Sequence, residues 1–348
     1  MAVTVETVPT GPSPGAVVAV DPRDDPRWVP GSLFTSPRWI RAVCGTYGFT
    51  PTARVVLDPD GHTRAGVAWA LVDDLRGTRR VALPFSDRAD PPGCDDASWS
   101  VLRRAIEGDV PLTLRCLEGH PAARDPSLRR IGEAAWHETA LAGDAGDVYA
   151  RLDGRVRRAL RYAAREGLEV EVGGALDDLH RVHGLHVELR KHKYGMLAPP
   201  RELFDRLREE FGPDLVTATA WRHGELAAGA VFLVHEGVLY YKFGASRAEH
   251  LWCRPNESLA WAVICWALAR GDVGAVDWGV SDLDQPGLLQ YKRKWATTES
   301  RVVTVRTAAP VAEPVGPVLA DLTALFTRDD VPIEVTAAAG ALLYRYFC

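Results

Sequence analysis

The secondary-structure signals of this 348-residue chain run through the same order twice, the second pass about 160 residues after the first. In the first half, Pro37 suits the opening turn of a helix whose Trp39, Ile40 and Val43 fall at helical spacing. Strand-like runs follow at 54–57, 65–72 and 80–85, with a turn at Asp58-Pro59-Asp60-Gly61. A helix at 98–106, a strand at 112–117, a polar loop and a short basic helix near 127–131 close the series. In the second half, Leu179, Val182, Leu185 and Leu189 form an apolar helical stripe, and strands are expected at 216–221, 227–234 and 238–243. Residues 257–269 predict a buried helix with Asn256 as N-cap and Gly271 just past its end. A strand at 275–279, a polar loop at 281–287 and a basic segment at 288–295 complete the second pass, with Gly66 opposite Gly229 and Arg129 near Lys292.

Such a series implies an α+β fold: two tandem copies with mixed, largely antiparallel sheets and flanking helices. Residues 1–15 read as a disordered tail, 16–150 as the first copy, 151–305 as the second, and 306–348 as a segment that packs back on the first. With 47% apolar and 25% charged residues the chain can build full cores, which excludes a disordered or fibrous protein. Neither an apolar run of spanning length nor a basic-then-apolar leader occurs, and the six cysteines form no CxxC pair. The expectation is a cytoplasmic monomer with free thiols. Its net charge of −5 argues against wholesale coating of nucleic acid but allows a local basic patch.

Lysine is scarce. Only five of 41 basic residues are lysine, and four of those lie in two clusters, Lys191-His192-Lys193 and Lys292-Arg293-Lys294. A compact ammonium does chemistry that a guanidinium cannot, so these positions are candidates for a site. Between the copies, arginines at 151, 155, 158, 161 and 165 recur at helical spacing, a stripe too one-sided for pairing with acids along the helix.

The repeated order resembles the GNAT acyltransferase superfamily. Two copies joined by an Arg-rich helix resemble, more narrowly, the Fem-type aminoacyl-tRNA-dependent transferases. The matching stretches are Arg157–Gly167, Leu189–Gly195, Gly244-Ala245-Ser246, Arg254-Pro255-Asn256, and Asp277-Trp278-Gly279 running to Gly287–Lys292. The first copy departs from the pattern, since its basic segment Ser127-Leu128-Arg129-Arg130 has no lysine, which points to a structural or acceptor-binding role. A sustained-heptad coiled-coil insertion, present in some Fem-type proteins, is not in the sequence.

The resemblance implies transfer of an acyl group to an amine. In GNAT enzymes a glycine-rich turn at a helix N-terminus holds the pyrophosphate of acyl-CoA. The equivalent stretch here, 247–256, has no glycine, and Pro255 removes one backbone donor. That favours aminoacyl-tRNA as donor, with no bound cofactor, and an amine on a cell-wall precursor or a small natural-product scaffold as acceptor. Acyl-CoA is the alternative donor, and a non-catalytic module holding a phosphorylated ligand is the alternative from another class.

Lys292 is the candidate for charge stabilisation at the oxyanion, and Asp282, ahead of Asp277 and Asp284, for accepting the amine proton. The expected substrate-binding set is Arg158, Arg161, Arg190, Lys191, Lys193, Tyr241, Lys242, Arg254, Asn256, Trp278, Ser281, Tyr291, Lys294 and Trp295. Lys292 is expected to project into the cleft between the copies, beside splayed strands near Tyr241–Gly244. His180, His183 and His186 are spaced by three on one helix, but a third protein ligand of suitable geometry is not obvious and the neighbouring stripe faces a core, so no metal is expected.

Overall fold

The structure, a computed structural model, describes residues 15–307 and 316–348; the tail expected at 1–15 lies, but for its last residue, outside them. The first half runs β1 (Val17–Val20), α1 (Pro37–Tyr47), β2 (Thr50–Leu57), β3 (Thr63–Asp74), β4 (Gly77–Val81), α2 (Asp96–Ala105), β5 (Leu112–Leu117), α3 (Pro121–Arg124) and β6 (Arg129–Ala140). Two short helices, α4 (Ala145–Arg151) and α5 (Gly154–Arg165), lead into the second. That half runs β7 (Leu168–Gly173), α6 (Leu176–Tyr194), α7 (Arg201–Phe211), β8 (Leu215–Arg222), β9 (Glu225–His235), β10 (Val238–Ser246), α8 (Pro255–Arg270), β11 (Ala275–Asp282), α9 (Pro286–Arg293) and β12 (Thr298–Arg306). Helices α10 (Gly316–Phe326) and α11 (Ile333–Leu343) end the chain.

Local chemistry sets these elements. Ser36 caps α1 by accepting from the Trp39 amide, Pro37 takes the first turn, and Gly48 ends the helix at φ 67°. Asp95 and Ser98 form a capping box on α2. Gly271, at φ 80°, ends α8 as its sequence implies, but the N-cap of α8 is Arg254 in the left-handed region, and Asn256 lies inside the first turn.

All twelve strands join one sheet in the order β1-β2-β3-β4-β5-β12-β6-β11-β10-β9-β8-β7. Among the described residues, only β4–β5 and β10–β11 are parallel pairs. The order is symmetric: β1 to β6 correspond to β7 to β12, and each copy's last strand pairs beside the other copy's fifth. The tandem α+β fold is therefore present, with β6 and β12 exchanged between the copies. Boundaries drawn at 150 and 305 follow the chain but not the sheet.

Residues 129–131, expected as a basic helix, are instead the start of β6, because Arg129 and Arg130 face solvent at a strand end whose later residues are buried. The helix in that place is α3, which begins at Pro121 as α9 begins at Pro286, so Arg129 is not the counterpart of Lys292. Gly66 and Gly229 do correspond. Each lies in the third strand of its copy, where a Cβ would come within 2.7 Å of Trp28 and 2.4 Å of Val182 respectively.

One large core joins the copies: α1 and β2–β5 pack with Leu203, Phe204, Leu207 and Phe211 of α7. Arg38 of α1 reinforces this joint by donating to the carbonyls of Glu210 and Phe211 and to Asp214. A second core lies between α8 and the far end of the sheet. The C-terminal segment rests on both copies. Tyr344 stacks on Phe85 at 5.1 Å, Arg76 donates to the Cys348 carbonyl at 3.1 Å, and Lys191 of α6 donates to the Val331 carbonyl. No helix among the described residues is long and apolar enough to cross a membrane.

Candidate active site

Strands β10 and β11 pair over only three residues, Val238–Tyr240 with Ala275–Asp277, and then part. A bulge between Tyr241 and Phe243 turns β10, and Gly279 at φ 68° turns β11. Beyond Tyr240, that edge of β10 has no strand partner, so its backbone groups face the gap. The gap opens into a cavity of about 600 Å³. Its walls are Gly229, Ala230 and Phe232 of β9, Tyr241 and Gly244–Ser246 of β10, Trp278 of β11, and Asn256, Leu259 and Ala260 of α8. Leu189, Lys193 and Tyr194 of α6 close one side, and Gln285, Gly287, Leu288, Tyr291 and Lys292 close the other.

The matching gap in the first copy is filled. Strands β4 and β5 pair over two residues and part, but the loop 82–90 then lies against β5. Ala82 and Ala89 donate to the carbonyls of Thr113 and Arg115 at 2.8 Å, and Asp90 accepts from the Leu117 amide at 2.7 Å. Leu83 and Phe85 hold this path with φ of 54° and 61°, a conformation disfavoured for residues with a Cβ. Among the described residues, only the second copy keeps an open gap.

Lys292 enters the cavity from the last turn of α9 and is 4% exposed. Its ammonium donates to the Val280 carbonyl at 2.8 Å. Burial draws its pKa down to about 8, against the pull of Asp87, Asp277 and Asp282. Beneath the cavity floor, Asp277 is 2% exposed, and burial pushes its pKa up to about 6 despite Arg88. One of its oxygens accepts from Trp136 Nε1 at 2.9 Å and the other from the Gly279 amide at 2.7 Å.

The exchanged strand β6 backs the site throughout. Besides Trp136, it supplies Thr139, which accepts from Trp278 Nε1 at 2.8 Å and donates to the Trp295 carbonyl at 2.7 Å. Rings of Phe232, Tyr241, Trp278 and Trp295 follow one another at 5.4, 6.2 and 5.9 Å. Tyr291 donates to the Asn256 carbonyl at 3.0 Å and ties α9 to α8.

Of the sequence candidates, Lys193, Tyr241, Asn256, Trp278, Tyr291 and Lys292 come together around the cavity. Lys292 stands within the second copy's gap rather than in an open cleft between the copies, since every lining residue belongs to the second half. The others lie elsewhere. Asp282 is exposed at the end of β11 and does not line the cavity; neither does Asp284. Ser281 and Trp295 are buried with Oγ and Nε1 unpartnered among the described residues. Lys294 rests over the Tyr291 ring on its outer side.

Lys191 turns to the C-terminal segment, and Arg190 donates to the Leu197 carbonyl at 2.5 Å and lies over Tyr344. Lys242 points through the sheet to Asp87 of the first copy. Arg158 and Arg161 are exposed on α5, and Arg254 is exposed before α8. The three histidines of α6 part company: His180 pairs with Asp205 at 2.6 Å, His183 bonds the Pro199 carbonyl, and His186 packs on Phe243. Asp87 and Thr139 carry no local sequence signal, because their partners are far along the chain.

Comparison with known proteins agrees with this geometry. Residues 150–293 match the acetyltransferase (GNAT) domain family. A search of curated proteins finds no match. Among solved structures, FemX is 13% identical and superposes with a TM-score of 0.57, covering 81% of this chain and 93% of its own. A tandem GNAT protein from the clavulanic acid biosynthesis pathway is 16% identical, with a TM-score of 0.48 over 86% of this chain and 99% of its own. L-PGS from Bacillus licheniformis is also 16% identical, with a TM-score of 0.47 over 82% and 91%. Residues 150–293 thus match the GNAT acetyltransferase domain family, in a chain whose two halves together have the fold of FemX.

Proposed function

We propose that this chain transfers an aminoacyl group from the ester of aminoacyl-tRNA to an amine acceptor, forming an amide. The observation that carries the proposal is the buried Lys292 ammonium at the parted strands β10 and β11. The amine nitrogen attacks the ester carbonyl carbon, the new C–N bond forms, and negative charge gathers on the carbonyl oxygen. Lys292 and the unpaired N–H groups of β10 lower the energy of that charge. Collapse breaks the bond to the ribose oxygen, which leaves with the proton given up by the amine. Because Asp282 lies outside the cavity and Asp277 spends both oxygens on Trp136 and Gly279, the substrates manage this proton themselves.

The tRNA donor is favoured over acyl-CoA by the stretch 247–256, where a 3-10 helix and Pro255 stand in place of a glycine-rich phosphate turn. One observation favours acyl-CoA: the N-terminus of α8 carries no side-chain cap, while that of α2 is occupied by the Asp95 carboxylate. The two donors separate in one assay. Incubation with charged tRNA pools or with acyl-CoAs, plus a panel of amines, is followed by mass spectrometry of the amide product. The proposal expects product that RNase treatment abolishes. Product that needs a CoA thioester and survives RNase would replace the donor, and no product from either would remove the catalytic function.

A further inference from the structure

The loop 82–90 that fills the first copy's strand gap also reaches the second copy's site. Asp87 Oδ1 accepts from the Lys242 ammonium at 3.1 Å, and Lys242 also donates to the Phe85 carbonyl at 3.0 Å. That ammonium lies 4.9 Å from the ring centres of both Phe34 and Trp39, so the ion pair is held inside the joint between the copies. Asp87 Oδ2 lies against Gly279, where a Cβ would come within 2.6 Å of it. The residue after Gly279 is Val280, whose carbonyl receives Lys292. A carboxylate of the first copy therefore packs on the turn of β11 from which the cavity's ammonium hangs.

We propose that Asp87 is a positioning residue for Lys292: its carboxylate, lodged between Lys242 and Gly279, holds the turn that receives the Lys292 ammonium and keeps that ammonium charged inside the cavity. The inference rests on the reading of Lys292 as the group that stabilises the oxyanion. Burial tends to strip the proton from Lys292, and among the opposing charges Asp87 acts most strongly, ahead of Asp277 and Asp282. Also near it are Lys242 of β10, which works against its charge, His137 of β6, whose pKa burial lowers, and Lys193 of α6, Tyr241 of β10 and Tyr291 of α9, which line the same cavity. Arg293, the next residue on α9, faces away to Glu299 at 2.7 Å.

The scarcity of lysine makes a direct test practical. Labelling lysine Cε with carbon-13 gives five resonances in the full chain, and Lys292→Ala identifies the one of interest. In Asp87→Asn the Lys292 midpoint should fall below the wild-type value by about one pH unit, because an attracting charge is gone. If Asp87 only packs the turn, its loss admits water, and the midpoint moves up toward that of an ordinary lysine; that result overturns the proposal. Asp87→Asn also leaves Lys242 without its acid, so the comparison is repeated on Lys242→Met. The double variant Lys242→Met/Asp87→Asn should titrate lower than Lys242→Met alone by about one unit, and equal midpoints overturn the proposal.

Turnover supplies the second readout. Asp87→Asn should lower kcat about tenfold at the upper end of the pH range with little change in KM, since it acts on charge at the reacting centre. Full turnover by folded Lys292→Ala would remove the role given to Lys292 and this inference with it. Loss of turnover in Lys292→Ala, together with an unmoved Lys292 midpoint in Asp87→Asn, would overturn the inference alone.

Discussion

The Lys292 ammonium hangs at 2.8 Å from the carbonyl of Val280, the residue next to the left-handed Gly279 where β11 turns away from β10. The charge is thus fixed to the feature that opens the cavity. Removing it should cost the reaction far more than the fold. Lys292→Ala is expected to lower kcat by about 10²–10³, the scale of one lost oxyanion donor, with a smaller change in donor KM. Lys292→Arg should restore little, because a planar guanidinium cannot occupy the ammonium's place. Steady-state kinetics on folded variants, checked by circular dichroism, decide this; full turnover by Lys292→Ala would end the assignment.

Turnover and stability should respond to pH in opposite senses. With the Lys292 pKa held at about 8, the charged form is lost as pH rises through that value, and kcat should fall with it. The unfolded chain keeps this lysine protonated up to its ordinary 10.5, so between the two values the unfolded state binds more protons and folding gains stability as pH rises. Other groups titrate in the same window, so the quantity to measure is the difference in unfolding free energy between wild type and Lys292→Met. That difference should shift in favour of wild type from pH 8 to 10 while kcat declines; a flat difference would contradict the depressed pKa.

Gly244 lies in the cavity wall, where a Cβ would come within 1.8 Å of the Tyr241 hydroxyl. In Gly244→Ala the tyrosine ring must swing into the space meant for substrate. A fall in kcat/KM of about tenfold or more is expected, the scale of overpacking at roughly 1–3 kcal/mol. Wild-type kinetics in this variant would place the acyl group elsewhere.

Arg158 and Arg161 are exposed on α5 and make no side-chain hydrogen bond or ion pair among the described residues. Changing either to alanine should leave stability within about 0.5 kcal/mol. If they hold an anionic partner, each change should raise its KM most at low salt and flatten the salt dependence by about one contact's worth. Salt-independent KM values in wild type would show that these arginines face only solvent.

The repeated element order is readable in the sequence because hydrophobic period and caps are local signals; Pro37 and Gly271 mark helix ends within a residue or two, whereas the N-cap of α8 is Arg254 and not the expected Asn256. The exchange of β6 and β12 is not readable. Arg129 to Glu133 is an exposed, polar strand start that looks like a basic helix, and its partners lie more than a hundred residues away. Lysine scarcity points to Lys292 but equally to Lys191, whose ammonium serves the C-terminal segment. Asp87 lies in an aperiodic loop, 155 residues from the lysine it pairs with, and nothing in the local sequence distinguishes it from the chain's other aspartates.

The strand exchange also decides when this protein can fold. Strand β12 is the last strand of the sheet to be made, yet it lies between β5 and β6, near the middle. A chain growing from its N-terminus can pair β1 to β5, but the edge of β5 has no neighbour until residues 302–306 have been synthesised. Until then the first half carries an open strand edge, and β6 has no partner at all until β11 is made and lacks β12 until the end. Severing the chain between the halves would produce two fragments that each lack a strand and each carry the other's, so either should be soluble only in the company of its complement.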